Sequence, residues 1–176
     1  MAEVPEQVVL VNNDGSVVGS ADKATVHTAV TPLHLAFSCH VFDDSGRVLV
    51  TRRALTKKTW AGVWTNSFCG HPLPGEAMTD AISRRARVEL GIAVTDVRLV
   101  LPDFRYEATD ASGIVENELC PVYRARTADA VSANPDEVSE WEWVDPASLT
   151  AAASAAPYAF SPWLVWQLEQ LTSPVE

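Results

Sequence analysis

The chain has little cysteine, little positive charge and no long unbroken apolar run. Its three cysteines, Cys39, Cys69 and Cys120, are too few and too scattered for a disulfide framework. No C-x-x-C pair suggests a zinc knuckle, and a reducing compartment, the cytoplasm, is the expectation. Lys and Arg number 13 against 23 Asp and Glu, a formal charge of −10. That balance argues against a nucleic-acid partner. Pro157, Ser161 and Pro162 break the most apolar C-terminal stretch, so no membrane span is expected. The opening MAEVPEQVV lacks a basic n-region and carries Glu3 and Glu6, so it does not read as a signal peptide. Repeats are missing too, and the only biased tract is an Ala-rich stretch at 151–156 that reads as a linker.

What is present suits one folded domain spanning 1–176. The 176 residues are 47% hydrophobic, enough for a substantial core. Short β-type runs recur at Gln7 to Val11, Val17 to Val18, Leu35 to Phe42, Arg47 to Val50, Trp64 to Phe68, Asp96 to Leu101, Phe104 to Ala108, Ile114 to Tyr123 and Glu140 to Val144. Gly-containing turns such as Asp43-Asp44-Ser45-Gly46 separate several of them and predict hairpins. Lys23 to His34 has no clean period and reads as irregular. Glu76 to Leu90 is helical, with Met78, Ile82 and Ala86 on one stripe and Gly91 as a stop. Asp145-Pro146 and Ser161-Pro162 each read as an N-cap followed by proline at the first helical position. Many strands with few helices predict an α/β or α+β fold, a mixed β-sheet sandwiched between helices.

The stretch from Thr65 to Gly91, TNSFCGHPLPGEAMTDAISRRARVELG, organises the rest. From Gly70 it runs five residues to Glu76, seven more to Arg84, then Glu89, Leu90, Gly91 and Ile92. This resembles the Nudix box, whose clustered helix carboxylates hold a divalent metal for diphosphate hydrolysis. Arg85 and Val88 stand where the hydrolases carry glutamate, so the scaffold is kept and the hydrolytic cluster is broken.

Four constellations carry possible chemistry. His27, His34 and His71 with Glu116 and Glu118 would suit a five-ligand, roughly octahedral Mn²⁺ or Mg²⁺ site that tolerates Zn²⁺. Taken singly, each histidine is as readily a hydrogen-bonded or surface residue, and His40, inside an alternating strand, fits that plainer reading. Cys69 beside His71 is either a small buried hydrophobe or a tuned thiol. Lys23, Arg53, Lys57 and Arg85 are either solvated charges or a grip on phosphate oxygens. Arg85 and Glu89, one helical turn apart, read by themselves as a surface ion pair. Trp163 and Tyr106 are either core or a surface for a cation.

Together the segments H-x6-HLAFS, LVTRRALTKKTWAGVWTNSFCGHP, RRARVELG, PDFRYEATDASGIVENELCPVY and FSPW resemble the type I isopentenyl-diphosphate isomerases over about residues 5–170. The resemblance implies a Nudix-like fold and proton transfer across an allylic unit between isopentenyl and dimethylallyl diphosphate. It implies that Cys69 and Glu118, the latter helped by Tyr106, are the acid–base pair. His27, His34, His71, Glu116 and Glu118 would hold Mn²⁺, Zn²⁺ or Mg²⁺, and Glu89 would bind a Mg²⁺ that bridges to the diphosphate. Lys23, Arg53, Lys57 and Arg85 would grip that diphosphate, and Trp163 would face the carbocation. The implied partner is a small allylic or homoallylic diphosphate, with no nucleic acid and no membrane, acting on a monomer or weak dimer. A Nudix hydrolase and a catalytically silent diphosphate-binding module are the rival readings. The first predicts phosphate release, and the second has no need for Cys69 and Glu118 together.

Overall fold

A computed structural model describes residues 6–172. In chain order the first elements are β1 (Gln7–Val11), β2 (Val17–Asp22), α1 (Lys23–Val26), β3 (His34–Leu35), β4 (Phe37–Phe42), β5 (Val48–Arg53), β6 (Trp64–Thr65), β7 (Phe68–Gly70) and α2 (Met78–Leu90). They are followed by β8 (Thr95–Leu101), β9 (Arg105–Thr109), β10 (Val115–Leu119), β11 (Val122–Arg126), β12 (Val138–Val144), α3 (Pro146–Ala155) and α4 (Pro162–Thr172).

The strands form two mixed sheets rather than the single one expected. One runs β2-β1-β3-β10-β9, and the other runs β12-β5-β4-β11-β8, with β6 beside β5 and β7 beside β4. Two parallel pairings join distant parts of the chain. β10 lies along β3, with Glu118 opposite His34, and β11 lies along β4, with Val122 opposite Ser38 and Arg124 opposite His40. Both lanes cross between the sheets together, held at the crossing by Ala36 N–H to the Leu119 carbonyl and Ser38 N–H to the Pro121 carbonyl.

The second sheet is the one sandwiched between helices. On one face Phe37, Cys39, Val41 and Leu49 pack against Ala81, Ile82, Ala86 and Leu90 of α2. Ile82 and Leu90 are fully buried, each worth about 1.5–3 kcal/mol of burial. On the other face Val48 and Val50 meet Leu149, Ala153, Leu164 and Leu168 of α3 and α4. Because helices cover both faces, Phe37 through Val41 are all buried, and the alternation read from the sequence does not mark a solvent side.

Other expectations are corrected locally. The Ala-rich 151–156 stretch is no linker, since 151–155 belong to α3. Alanine is the best helix former, and the Asp145 carboxylate caps the helix by accepting from Ser148 N–H. Trp64 to Phe68 is not one strand. It breaks at Asn66 and Ser67, whose buried side chains bond the backbone of Cys39, Phe68, Leu49 and Val41. These bonds satisfy main-chain groups where β4 and β5, paired only at Phe42 and Val48, separate. The irregular Lys23 to His34 segment contains α1, one turn capped by Asp22 accepting from Ala24 N–H. Gly91 ends α2 in the left-handed region, φ 65°. Among the described residues, no helix is long and apolar enough to cross a membrane.

Candidate active site and metal centre

Strand register builds the polar end of the cavity. Across the first sheet, Glu118 stands opposite Tyr106 of β9 on one side and His34 of β3 on the other. Glu116, two residues earlier, shares Glu118's face, and both carboxylates are buried. His71 follows β7 and is fixed by the box itself. Arg84 grips Glu76 through two 2.8 Å bonds and donates to the His71 carbonyl at 3.1 Å, while Glu76 accepts from Leu73 N–H. The Glu76–Arg84 spacing therefore works here as a loop clamp.

His27, His34, His71 and Glu118 each offer a ligand atom within 4.8 Å of the others. The three rings form a triangle with centroids 5.1, 5.1 and 6.0 Å apart. His34 donates from Nδ1 to the Pro32 carbonyl at 2.9 Å, which leaves the Nε2 lone pair facing inward. That buried Nε2 has no hydrogen-bond partner, nor has His71 Nδ1. It lies 3.5 Å from Glu118 Oε1, near enough for charge attraction but not in hydrogen-bond geometry. Burial and the neighbouring histidines pull His27 down to about 4. Burial would raise Glu118, but its contacts with His34 and His71 hold it well below the usual carboxylate range. Orphaned imidazole nitrogens around one charged carboxylate are a donor set that fits a divalent cation. Glu116 lies outside this tight group. Its oxygens take bonds from Thr59 Oγ1 at 2.6 Å and Tyr106 OH at 2.8 Å. Tyr106 OH also lies 2.9 Å from Glu118, so its single proton is shared between the two carboxylates.

A cavity of about 530 Å³ opens beside this group, and Lys23, Arg53, Lys57, Arg85, Glu89, Cys69, Tyr106 and Trp163 all line it. Arg85 and Glu89 are not a surface pair. Their side chains are 7% and 10% exposed, and Arg85 Nη2 lies 2.5 Å from Glu89 Oε1. The pair is drawn inward because Gly70 lets β7 approach α2 closely. A Cβ there would come within 2.8 Å of Arg85 Cγ and of Phe37 Cζ. Burial opposes the Arg85 charge, but the Glu89 and Glu137 carboxylates raise it further above its ordinary range.

The aromatic wall is continuous. Trp163 stacks on Tyr106 with centroids 5.6 Å apart and meets Trp60 edge-on at 5.3 Å. The Arg53 guanidinium sits 5.4 Å over the Trp163 ring and donates to the Thr59 carbonyl. Trp60 has φ 44°, rare for so bulky a residue and costing about 1–3 kcal/mol. Cys69 Sγ lies 3.3 Å from Asn66 Oδ1 and 3.2 Å from Ser38 Oγ. Burial dominates there and pushes the thiol up to about 12.

Sequence reasoning missed several lining acids. Glu137 bonds Lys57 and Arg85, and Glu6 bonds Lys23. Neither stands at a motif spacing from its partner. It also missed the polar support of Cys69 by Ser38 and Asn66. His40, read as an ordinary histidine, is buried and bonded to Gln167.

Residues 32–164 match the family model of the NUDIX domain. Over 171 residues the chain is 61% identical to an isopentenyl-diphosphate Delta-isomerase of Clavibacter sepedonicus, covering 97% of this chain and 90% of that protein. A protein of the same name from Leifsonia xyli subsp. xyli is 60% identical, over 94% of this chain and 91% of its own. Among solved structures, a Deinococcus radiodurans protein superposes with TM-score 0.73 at 22% identity, over 96% of this chain and all of the other. A MutT protein from Methanosarcina mazei superposes at 0.63 and 17% identity, covering 80% and 93%. At those identities the structures speak for the fold alone.

Proposed function

The chain belongs to the isopentenyl-diphosphate Delta-isomerases within the NUDIX family, and on that premise we propose how its cavity interconverts isopentenyl and dimethylallyl diphosphate. The observation that carries the proposal is that Cys69 and Glu118 attach to the two ends of one aromatic wall. Trp163 Nε1 donates to Asn66 Oδ1, the atom that also faces Cys69 Sγ. Tyr106, stacked on Trp163, bonds Glu118.

The two groups are set apart in proton affinity, as an acid and its complementary base must be. Cys69 keeps its proton, and Glu118 is charged. One terminal carbon of the allylic unit receives the thiol proton, positive charge develops at the tertiary carbon, and Glu118 takes a proton from the other terminal carbon. The reverse reaction uses the same groups with their roles exchanged. The Trp163 face stabilises the tertiary cation, and the apolar wall keeps water from capturing it. Lys23, Arg53, Lys57 and Arg85 bind the diphosphate, exchanging their present contacts with Glu6, Glu89, Glu137 and the Thr59 carbonyl for phosphate oxygens.

His27, His34, His71 and Glu118, with Glu116 beside them, would hold Mn²⁺, Mg²⁺ or Zn²⁺, and Glu89 a Mg²⁺ shared with the diphosphate. Such ions supply positive charge that holds carboxylates ionised and neutralises substrate phosphate. We place the reaction in the cytoplasm, on a monomer or weak dimer, in keeping with three free thiols.

The test is NMR of isopentenyl diphosphate in D₂O with metal-loaded protein and a chelated control. Deuterium in the product methyl, with dimethylallyl diphosphate formed only when metal is present, is the expected result. Inorganic phosphate without exchange would overturn it in favour of hydrolysis.

A further inference from the structure

Behind Cys69 a line of polar side chains leaves the cavity and runs between the second sheet and α4, on the sheet face that α3 and α4 cover. Ser38 stands opposite Cys69 where β7 pairs with β4. Its Oγ lies 3.2 Å from Cys69 Sγ, 3.4 Å from Cys120 Sγ and 2.9 Å from Gln167 Nε2 of α4. Gln167 Oε1 in turn lies 2.9 Å from His40 Nε2. Ser38, His40 and Gln167 are all buried, and His40 lines a separate cavity of about 160 Å³ under α3. Three fully buried polar residues across an otherwise apolar layer are costly unless each bond is made.

One direction is set by a fixed end, and the others follow on the condition that Ser38 donates to a sulfur. Asn66 cannot be turned over. Its Nδ2 faces the Cys39 and Phe68 carbonyls, and its Oδ1 faces Trp163 Nε1, which can only donate. Asn66 Oδ1 is therefore an acceptor, and the Cys69 S–H points to it. The sulfur lone pairs are then left to accept, and Ser38 O–H is the donor beside them. Ser38 can give its proton to a sulfur only if its contact with Gln167 is one it accepts. This requires the amide nitrogen toward Ser38, the amide oxygen toward His40, and a proton on His40 Nε2.

We propose that His40 and Gln167 are positioning residues that commit the Ser38 hydroxyl to donate to the sulfur of Cys69. The inference rests on the reading of Cys69 as the acid–base group. Once Cys69 has given up its proton, the thiolate would face a dry pocket near the Glu118 charge. A held hydroxyl stabilises it through a charge-assisted bond that is stronger than the same bond to the thiol. With the amide reversed and the other His40 tautomer, Ser38 would donate to Gln167 and the thiolate would lose that donor. Cys120, 3.4 Å from the same hydroxyl, is its alternative target while Cys69 is protonated.

The experiment compares Ser38→Thr with Ser38→Val, which are equal in shape and differ in the hydroxyl, and adds Gln167→Met and His40→Phe. The primary readout needs no turnover: the rate of iodoacetamide modification at Cys69 at one fixed, mildly alkaline pH, resolved by peptide mass spectrometry. The expected result is a rate about tenfold lower in Ser38→Val and Gln167→Met, with Ser38→Thr close to wild type. Isomerase kcat should fall about tenfold with KM little changed. Adding Gln167→Met to Ser38→Val should cost nothing more, because the amide acts through the hydroxyl. Equal alkylation rates in the Thr and Val proteins, or additive losses in the double variant, would overturn the proposal. Should Gln167→Met or His40→Phe fail to fold, the Thr and Val pair decides alone. Full isomerase activity in Cys69→Ala would instead sink the reading on which the proposal stands, without touching the alkylation result.

Discussion

Arg85 and Glu89 form their ion pair inside the cavity, with 2.5 Å between Nη2 and Oε1. Arg85 occupies a position where Nudix hydrolases carry a metal-binding acid, so the helix presents a cation and its counter-charge where two carboxylates would otherwise stand. Losing Arg85 leaves Glu89 buried without that partner. Arg85→Met is expected to destabilise the protein by about 3–5 kcal/mol in urea unfolding and to raise KM. Adding Glu89→Gln should recover part of the stability but none of the KM.

Cys69 takes part in the polar support of the cavity but not in the hydrophobic stripe of α2. Cys69→Ser should unfold at a temperature close to wild type and bind the substrate as tightly by calorimetry, while turnover falls at least about 10²-fold. Wild-type turnover in that variant would remove the thiol from the chemistry.

The unpartnered nitrogens of His34 and His71 link metal to stability. An ion that binds only the folded chain adds about 2.7 kcal/mol when its free concentration is 100 times its Kd. Wild-type protein should therefore melt higher with Mn²⁺ than with a chelator, and His71→Ala should lose most of that difference together with bound metal. An unchanged metal stoichiometry in His71→Ala would exclude it as a ligand.

His40 predicts a stability slope on the acid side. Burial lowers it from 6.5 to about 4 despite the bond it makes to Gln167. The unfolded chain takes up a proton near 6.5, whereas the folded one resists until about 4. Stability from this group is thus complete above 6.5 and is lost as pH falls toward 4, by about 3 kcal/mol at most. Urea unfolding of His40→Gln over pH 4–7 should show a shallower decline than wild type.

Periodicity and turn chemistry made α2, its Gly91 stop, the Asp145 cap and most strands legible in the sequence, because those signals are local. The resemblance gathered His27, His34, His71, Glu118 and Cys69; in the structure all but His34 line one cavity, and His34 is buried beside His27, His71 and Glu118. The depth of Arg85 was not legible, since it depends on Gly70 and on packing between elements far apart in number. Glu137 gave no signal, because its partners Lys57 and Arg85 lie 80 and 52 residues away. The division into two sheets was hidden by the short β3, whose two residues show no period. Reading 151–156 as a linker gave too little weight to alanine.

The two parallel lanes, β3 with β10 and β4 with β11, also bear on how the protein is made. A nascent chain that has emerged only as far as α2 carries the imidazoles of His27, His34 and His71 but neither β10 nor β11. Until residues 118–126 leave the ribosome, β3 and β4 each lack a neighbour, and such unpaired edges invite association with other chains. Trp163 arrives later still, in the final helix. Metal capture and the closing of the pocket are therefore events of the completed polypeptide, and a truncation before Glu118 should leave a product that holds neither ion nor substrate.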